Sequence, residues 1–350
     1  VRDLLRSIHQ PICVALLSLS AFWCNIGWTE ESLVANPNSD QTSFFSDENV
    51  SYQIDFGTEQ PIEGVIQWQL TVLHRTFGRG DIQIDLKPEQ RKSVTLNFQM
   101  PHVKTHVIQE STLSLRLAQA GNGDAVTIFQ RGLWAFPRDA FADRNAWLNQ
   151  LDLRLYDPVG DTAKVLDEAE IPFQEIRSIA ALATIENGIV IIGEGIEVQS
   201  NSGLAETLFS LCADGQRILW FSPANGHFGI PGIGDDSEKK RPDHLLLMGS
   251  DRLWQLDKRL DTFAWTAEDH QGVGLQLADE GGRIVIKFVE PPDGWTWLEA
   301  TFRDTDGQLI LCGLQLAEVW NVSPTPRYML ARLLEQLDNS QKPEEQETEK

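Results

Sequence analysis

GIVIIGEGI, residues 188–196, is a continuous apolar run closed by a Gly-Glu-Gly turn. It is too short for an ordinary helix and has no polar face. A run of that kind fits a strand buried on both sides, as in a parallel sheet with helices above and below. The neighbouring segments agree. LDLRLYD (151–157) reads as a strand ending at Asp157-Pro158, and Asp161 or Thr162 can cap a helix through Ala169. IPFQEI (171–176) reads as a short strand and IRSIAALAT (176–184) as a helix. Leu204–Ala213 is a helix stopped by Gly215, and RILWFSP (217–223) is the next central strand. RIVIKFV (283–289), LEATFRD (298–304) and QLILCGLQL (308–316) follow, then a final helix over Arg327–Leu337. Strands alternating with helices predict a doubly wound α/β sheet over 151–338.

Upstream the texture differs. Tyr52–Phe56, Val65–Val72, Asp81–Leu86, Ser93–Met100, Thr112–Leu117 and Val126–Phe136 alternate apolar and polar residues, and GNGD (121–124) is a hairpin turn signal. Such short alternating runs predict an antiparallel sandwich over 51–136, of a size that suits an immunoglobulin-like domain. RDAFADRNAWLNQ (138–150) reads as a connector with a short helix, placed over 137–150. Residues 29–50 are polar, lack periodicity and read as a linker. Residues 339–350 read as a disordered acidic tail. The expected fold is therefore α+β and multidomain: an N-terminal antiparallel immunoglobulin-like β-sandwich, then a flavodoxin-like α/β domain.

The chain has 350 residues, 51 acidic and 29 basic, for a net charge of −22. That charge argues against nucleic-acid binding, which requires phosphates to be neutralised by Lys and Arg. Arg2 and Arg6 precede the apolar run Ile12–Trp28, the pattern of an export signal. Residues 1–28 are thus expected to be a signal peptide or a retained membrane anchor, with cleavage left open. Any membrane association runs through this segment alone. The protein is expected in the periplasm, cell envelope or extracellular space. Of four cysteines, Cys13 and Cys24 lie in that segment. Cys212 and Cys312 sit in apolar contexts that suit buried free thiols, with a disulfide as the alternative. No Cys-x-x-Cys is present, and no metal or cofactor is expected.

The run VIQWQLTVLHRTFGRGDIQIDLKPEQRKSVTLNFQMP (65–101), with an inward Trp68, resembles the immunoglobulin-like sandwich domains of family 2 glycoside hydrolases. The second half, with its strand of the form VIIGEG, resembles the class I glutamine-amidotransferase-like fold. Non-catalytic versions of that fold accompany some glycoside hydrolases. FPRDAFADRNAWL and LDKRLDTFAW also resemble segments of secreted proteins of planctomycete-like bacteria. These resemblances imply an exported binding or assembly protein associated with carbohydrate, whose partners would be a glycan or another protein.

An amidotransferase nucleophile stands at a strand-to-helix turn, where the following backbone N–H serves an oxyanion. Ser222 holds the approximate position here, but Pro223 follows it and has no N–H to donate. The catalytic reading is therefore the alternative: a hydrolase at the carboxyl edge of the sheet using Ser222, His227 and loop carboxylates such as Asp235, Asp236 and Asp243. His102 and His106 share i, i+4 spacing, but Pro101 points to a loop rather than a metal-binding helix. Gly193-Glu194-Gly195 lacks the third glycine of a nucleotide-binding turn. The chain is also too short to hold a (β/α)₈ barrel of about 250 residues beside these two parts. Among 11 tryptophans, Trp68, Trp134, Trp220 and Trp254 are expected in cores. Trp147, Trp295 and Trp297, in the connector and a Pro/Gly loop, are the candidate sugar-stacking platforms, with interdomain packing as the competing role. Lys258, Arg259 and Asp261 are expected either to pair near the joint or to stay solvated.

Overall fold

The computed structural model describes residues 33–119, 124–232, 241–267 and 270–339. The signal or anchor, most of the GNGD turn, Asp235 and Asp236, and nearly all of the acidic tail lie outside these residues.

Alternating residues build a β-sandwich. Strands β1 (Leu33–Pro37), β3 (Asn49–Thr58) and β6 (Arg91–Gln99) form one antiparallel sheet in the order β1-β3-β6. Strands β2 (Ser43–Phe45), β8 (Val126–Phe136), β7 (Gln109–Gln119), β4 (Ile62–Val72) and β5 (Arg75–Leu86) form the other in that order. Their inner faces bury Ile54, Phe56, Ile66, Leu70, Leu113 and Leu115 completely. Trp68 is half-buried on the same face, its ring 6.1 Å from that of Phe98 at a tilt and lying across β5. A Cβ on Gly80 would meet the Trp68 Nε1 at 2.6 Å, so the indole requires glycine there.

The expected linker over 29–50 is corrected: β1, β2 and the start of β3 occupy much of it. Strand β2 is only three residues long and pairs parallel to β8, with Phe44 and Phe45 buried. So brief a strand is fixed by its partner and shows no period of its own.

The second part is a seven-stranded sheet. Its strands are β10 (Gln174–Glu175), β9 (Leu153–Tyr156), β11 (Ile189–Ile192), β12 (Arg217–Trp220), β18 (Gln308–Cys312), β17 (Trp297–Thr301) and β14 (His244–Met248), in that spatial order. The first five are parallel; β17 and β14 run antiparallel at one edge. All four β11 residues are fully buried because both faces are covered, each contributing roughly 2 kcal/mol of apolar transfer. Ile189 and Ile191 face one core with α2 (Asp161–Glu168), α5 (Arg252–Leu256) and α6 (Thr325–Asn339). Val190 and Ile192 face another with α3 (Ile179–Leu182) and α4 (Leu204–Ala213). That second core is also covered by a three-stranded antiparallel sheet of β13 (His227–Gly229), β16 (Arg283–Val289) and β15 (Gly274–Glu280).

The expected run of helical crossovers therefore stops after β12. From there to β18 the described residues make antiparallel strands, the short α5 and a 3-10 turn at Phe263–Trp265. The β15–β16 turn shows why: Gly281 and Gly282 have φ of 63° and 91°, the paired positive values of a tight hairpin. IRSIAALAT yields just one helical turn, Ile179–Leu182, capped by Ser178.

The sandwich and the α/β part share a continuous joint. Phe136 at the end of β8 belongs to the α/β core, its ring 4.7 Å from that of Tyr328 in α6. Asp261 is buried, and its Oδ2 accepts from the Thr42 and Ser43 amides at 2.7 and 2.6 Å and from both their hydroxyls. Its own amide donates to Thr325 Oγ1 at the start of α6. Asp261 thus anchors the joint through hydrogen bonds, while Arg259 pairs with Asp257 at 2.6 Å. The connector carries α1 (Asn145–Gln150).

Candidate functional site

Ligands in open α/β sheets bind where strand order reverses, at the carboxyl ends of the strands. Here that point lies between β9 and β11. Its polar donors are taken by the chain's own carboxylates. Asp157, directly after β9, accepts from the Gly160 and Ala163 amides at 3.0 and 2.8 Å. It thereby caps α2, the role expected of Asp161 or Thr162. Thr162 instead accepts from the Glu194 amide through Oγ1 at 2.8 Å. Gly193 is needed because a Cβ there would meet the Asp157 carboxylate at 2.5 Å.

Glu194, directly after Gly193, is buried. One carboxylate oxygen accepts from the Leu316 and Ala317 amides, the latter at 2.9 Å. Burial pushes its pKa up to about 7, against the opposing pull of those backbone amides. The Gly193-Glu194-Gly195 turn therefore holds a carboxylate that pins the loop after β18.

The proposed catalytic residues are not joined by a hydrogen bond. Ser222 is buried, and its carbonyl accepts from the Gly195 amide at 2.8 Å. His227 is exposed; its Nδ1 is 3.1 Å from Gln199 Nε2, and its Nε2 is 3.9 Å from Glu280. Glu280 in turn pairs with Lys287 at 2.7 Å. Cys212 and Cys312 are both free and buried, which settles the disulfide alternative for this pair. They belong to cores on opposite faces of the sheet, and burial raises both thiol pKa values away from the reactive thiolate.

The tryptophan platforms separate. Trp297 is fully buried as the first residue of β17, so its place as an exposed sugar platform is corrected. Its ring faces the α2–α6 core because β17 is paired on both sides, which the loop-like EPPDGWTW spacing conceals. Trp147 has the Arg144 guanidinium 3.9 Å over its ring and donates Nε1–H to Asp338, so it packs the joint. Trp295 is 49% exposed. Trp254, expected in a core, is instead 56% exposed on α5.

The cavities along residues 137–144 of the connector are the feature missed in sequence. Three cavities of about 380, 270 and 340 Å³ flank that segment, and Asp139 lines all of them. His102 and His106 lie beside it, each with a separate carboxylate: Asp47 at 2.7 Å and Asp143 at 3.2 Å. Among the described residues no group of three metal-ligating side chains forms. The clustered charges of PRDAFADR were the available signal, but they read equally well as a solvated connector.

No family model matches the chain, and no curated protein matches it. Among solved structures it is similar to the C-terminal domain of wzt (8% identity, covering 31% of this chain and 76% of that one, TM-score 0.24). It is also similar to Spo0M, a sporulation control protein from Bacillus subtilis (11%, 34% and 55%, TM-score 0.26). A third likeness is to a β-glucuronidase from glycoside hydrolase family 2 (9%, 59% and 21%, TM-score 0.23).

Proposed function

We propose that this is an exported protein that binds its target without transforming it, and that the target is a glycan. The observation that carries the binding reading is the self-satisfied edge of the α/β sheet. Where a ligand would meet free donors, Asp157 and Glu194 already occupy them. The open polar surface lies instead along the connector, where guanidinium, carboxylate and amide groups stand beside aromatic rings. That mixture suits hydroxyl-rich ligands, whose groups both donate and accept. The parallel order β10-β9-β11-β12-β18 supports reading the second part as flavodoxin-like with added antiparallel strands. The sandwich is read as immunoglobulin-like on its alternating strands, and export on the basic-then-apolar start.

The test is thermal unfolding of the purified chain against a panel of neutral and acidic oligosaccharides. A ligand that binds only the native state raises the midpoint with concentration. A saturable rise with one glycan class is expected. Turnover of ester, amide or glycoside substrates, abolished by Ser222→Ala or His227→Ala, would overturn the reading in favour of a hydrolase.

A further inference from the structure

The largest of the three connector cavities, about 380 Å³, lies between the connector, the end of α2 and the start of α6. Its size falls within the range of about 300–1,000 Å³ typical of small-ligand sites. Two guanidiniums line it. Arg138 stands 5.1 Å and Arg327 5.0 Å from the centroid of the same Phe45 ring. Among the described residues neither has a carboxylate oxygen within 4 Å. Across the connector the contrast is plain: Arg144, Arg259 and Arg332 are each ion-paired, at 2.7, 2.6 and 3.0 Å.

Arg327 is held in place by neutral acceptors. Its Nε donates to the Trp320 carbonyl and its Nη atoms to the Arg138 carbonyl and Asn321 Oδ1. Its pKa is lowered by burial and by the neighbouring charge of Arg138. Asp139 and Glu168 oppose that lowering from beyond ion-pair distance, so both guanidiniums keep donors that a bridging carboxylate can take through fork-shaped pairs. The same cavity is lined by Asp139, Glu168 and Glu170. Those carboxylates would repel a multiply charged phosphate, but they accept hydrogen bonds from hydroxyls.

We infer that this cavity binds a polyhydroxylated monocarboxylate of the uronic-acid class. Arg138 and Arg327 take its carboxylate, and Asp139, Glu168 and Glu170 take its hydroxyls. The inference rests on the glycan reading above and adds the site and the ligand charge.

The experiment is calorimetric titration of the full chain with an oligogalacturonate, a neutral galacto-oligosaccharide and inorganic phosphate. It is repeated on Arg138→Gln, Arg138→Lys and Arg327→Lys. Circular dichroism and the ligand-free melting midpoint check that each variant folds. The oligogalacturonate is expected to bind, more weakly as salt rises. Its affinity should fall at least tenfold in Arg138→Gln, with partial recovery in Arg138→Lys. Oligogalacturonate affinity unchanged in both Arg138→Gln and Arg327→Lys would overturn the site, as would phosphate binding as tightly as the uronate. Binding of the neutral oligosaccharide alone, indifferent to all three variants, would overturn this inference and leave the glycan reading standing. Binding of none of the three, in a chain that also gives no midpoint shift across the glycan panel, would overturn both.

Discussion

Glu194 is a carboxylate held where a carboxylate is expensive. Burial raises it to about 7 although the amides of Leu316 and Ala317 favour its charged form. The folded state therefore holds this proton more tightly than the unfolded chain does. The stability it contributes is fully present below pH 4.5 and is lost as pH rises through 7. At pH 8 that loss amounts to about 3 kcal/mol. Glu194→Gln should remove this pH dependence and leave the variant more stable relative to wild type at pH 8 than at pH 5. Urea denaturation at the two pH values checks it, and a wild-type-minus-variant difference that stays constant with pH would refute the assignment. Nothing in GIVIIGEGI revealed this role. The run correctly marked the buried strand, but the partners of Glu194 lie in a loop more than 120 residues later. The same distance problem misplaced Trp297 and Trp254. Local context put one in a loop and the other in a core; sheet pairing buried Trp297, and a place on the exposed side of α5 left Trp254 open.

At the scale of elements, three-residue β2 is among the shortest strands and yet sits at the joint. Its security comes from Asp261, which satisfies two amides and two hydroxyls with one oxygen. Asp261→Ala leaves the Thr42 and Ser43 amides without a partner, while the Ser43 hydroxyl keeps Thr325, and should cost ~3 kcal/mol, since each unsatisfied donor costs ~1–3. The Thr42 and Ser43 amides should then exchange hydrogen faster than the amides of β7, as read by hydrogen exchange. Equal protection across both strands would show that β2 is held by other means. Elements with their own periodicity were legible: alternating DIQIDL, SVTLNF and TLSLRL became β5, β6 and β7, and the apolar RILW became β12. Elements fixed by a partner were not. Strands β1, β2 and β14 borrow their order from neighbours, and the hairpin at Gly281-Gly282 replaced an expected crossover.

For the whole molecule, residues from Leu33 onward cluster as one compact unit. Phe136 belongs to the α/β core, and Tyr328 donates from its hydroxyl to the Pro137 carbonyl at 3.1 Å. The two parts should therefore unfold together, giving one calorimetric transition whose van't Hoff and calorimetric enthalpies agree. Two resolved transitions would show that the joint adds little. The sequence pattern separated two textures, strand-only and mixed. It could not show that the segment between them is lined with cavities, because PRDAFADR gains its surroundings from residues distant in sequence, among them Phe45, His106, the end of α2 and α6. The bond from Ser43 to Thr325 also orders events in time, for it links positions 282 residues apart. A ribosome delivers the sandwich long before it delivers α6. Until then β2 can pair with β8, but the Thr42 and Ser43 amides lack Asp261 and the Ser43 hydroxyl lacks Thr325. Completion of the N-terminal half is thus deferred until residues roughly 200 to 280 positions later have emerged, and its edge stays unfinished while they are still to come.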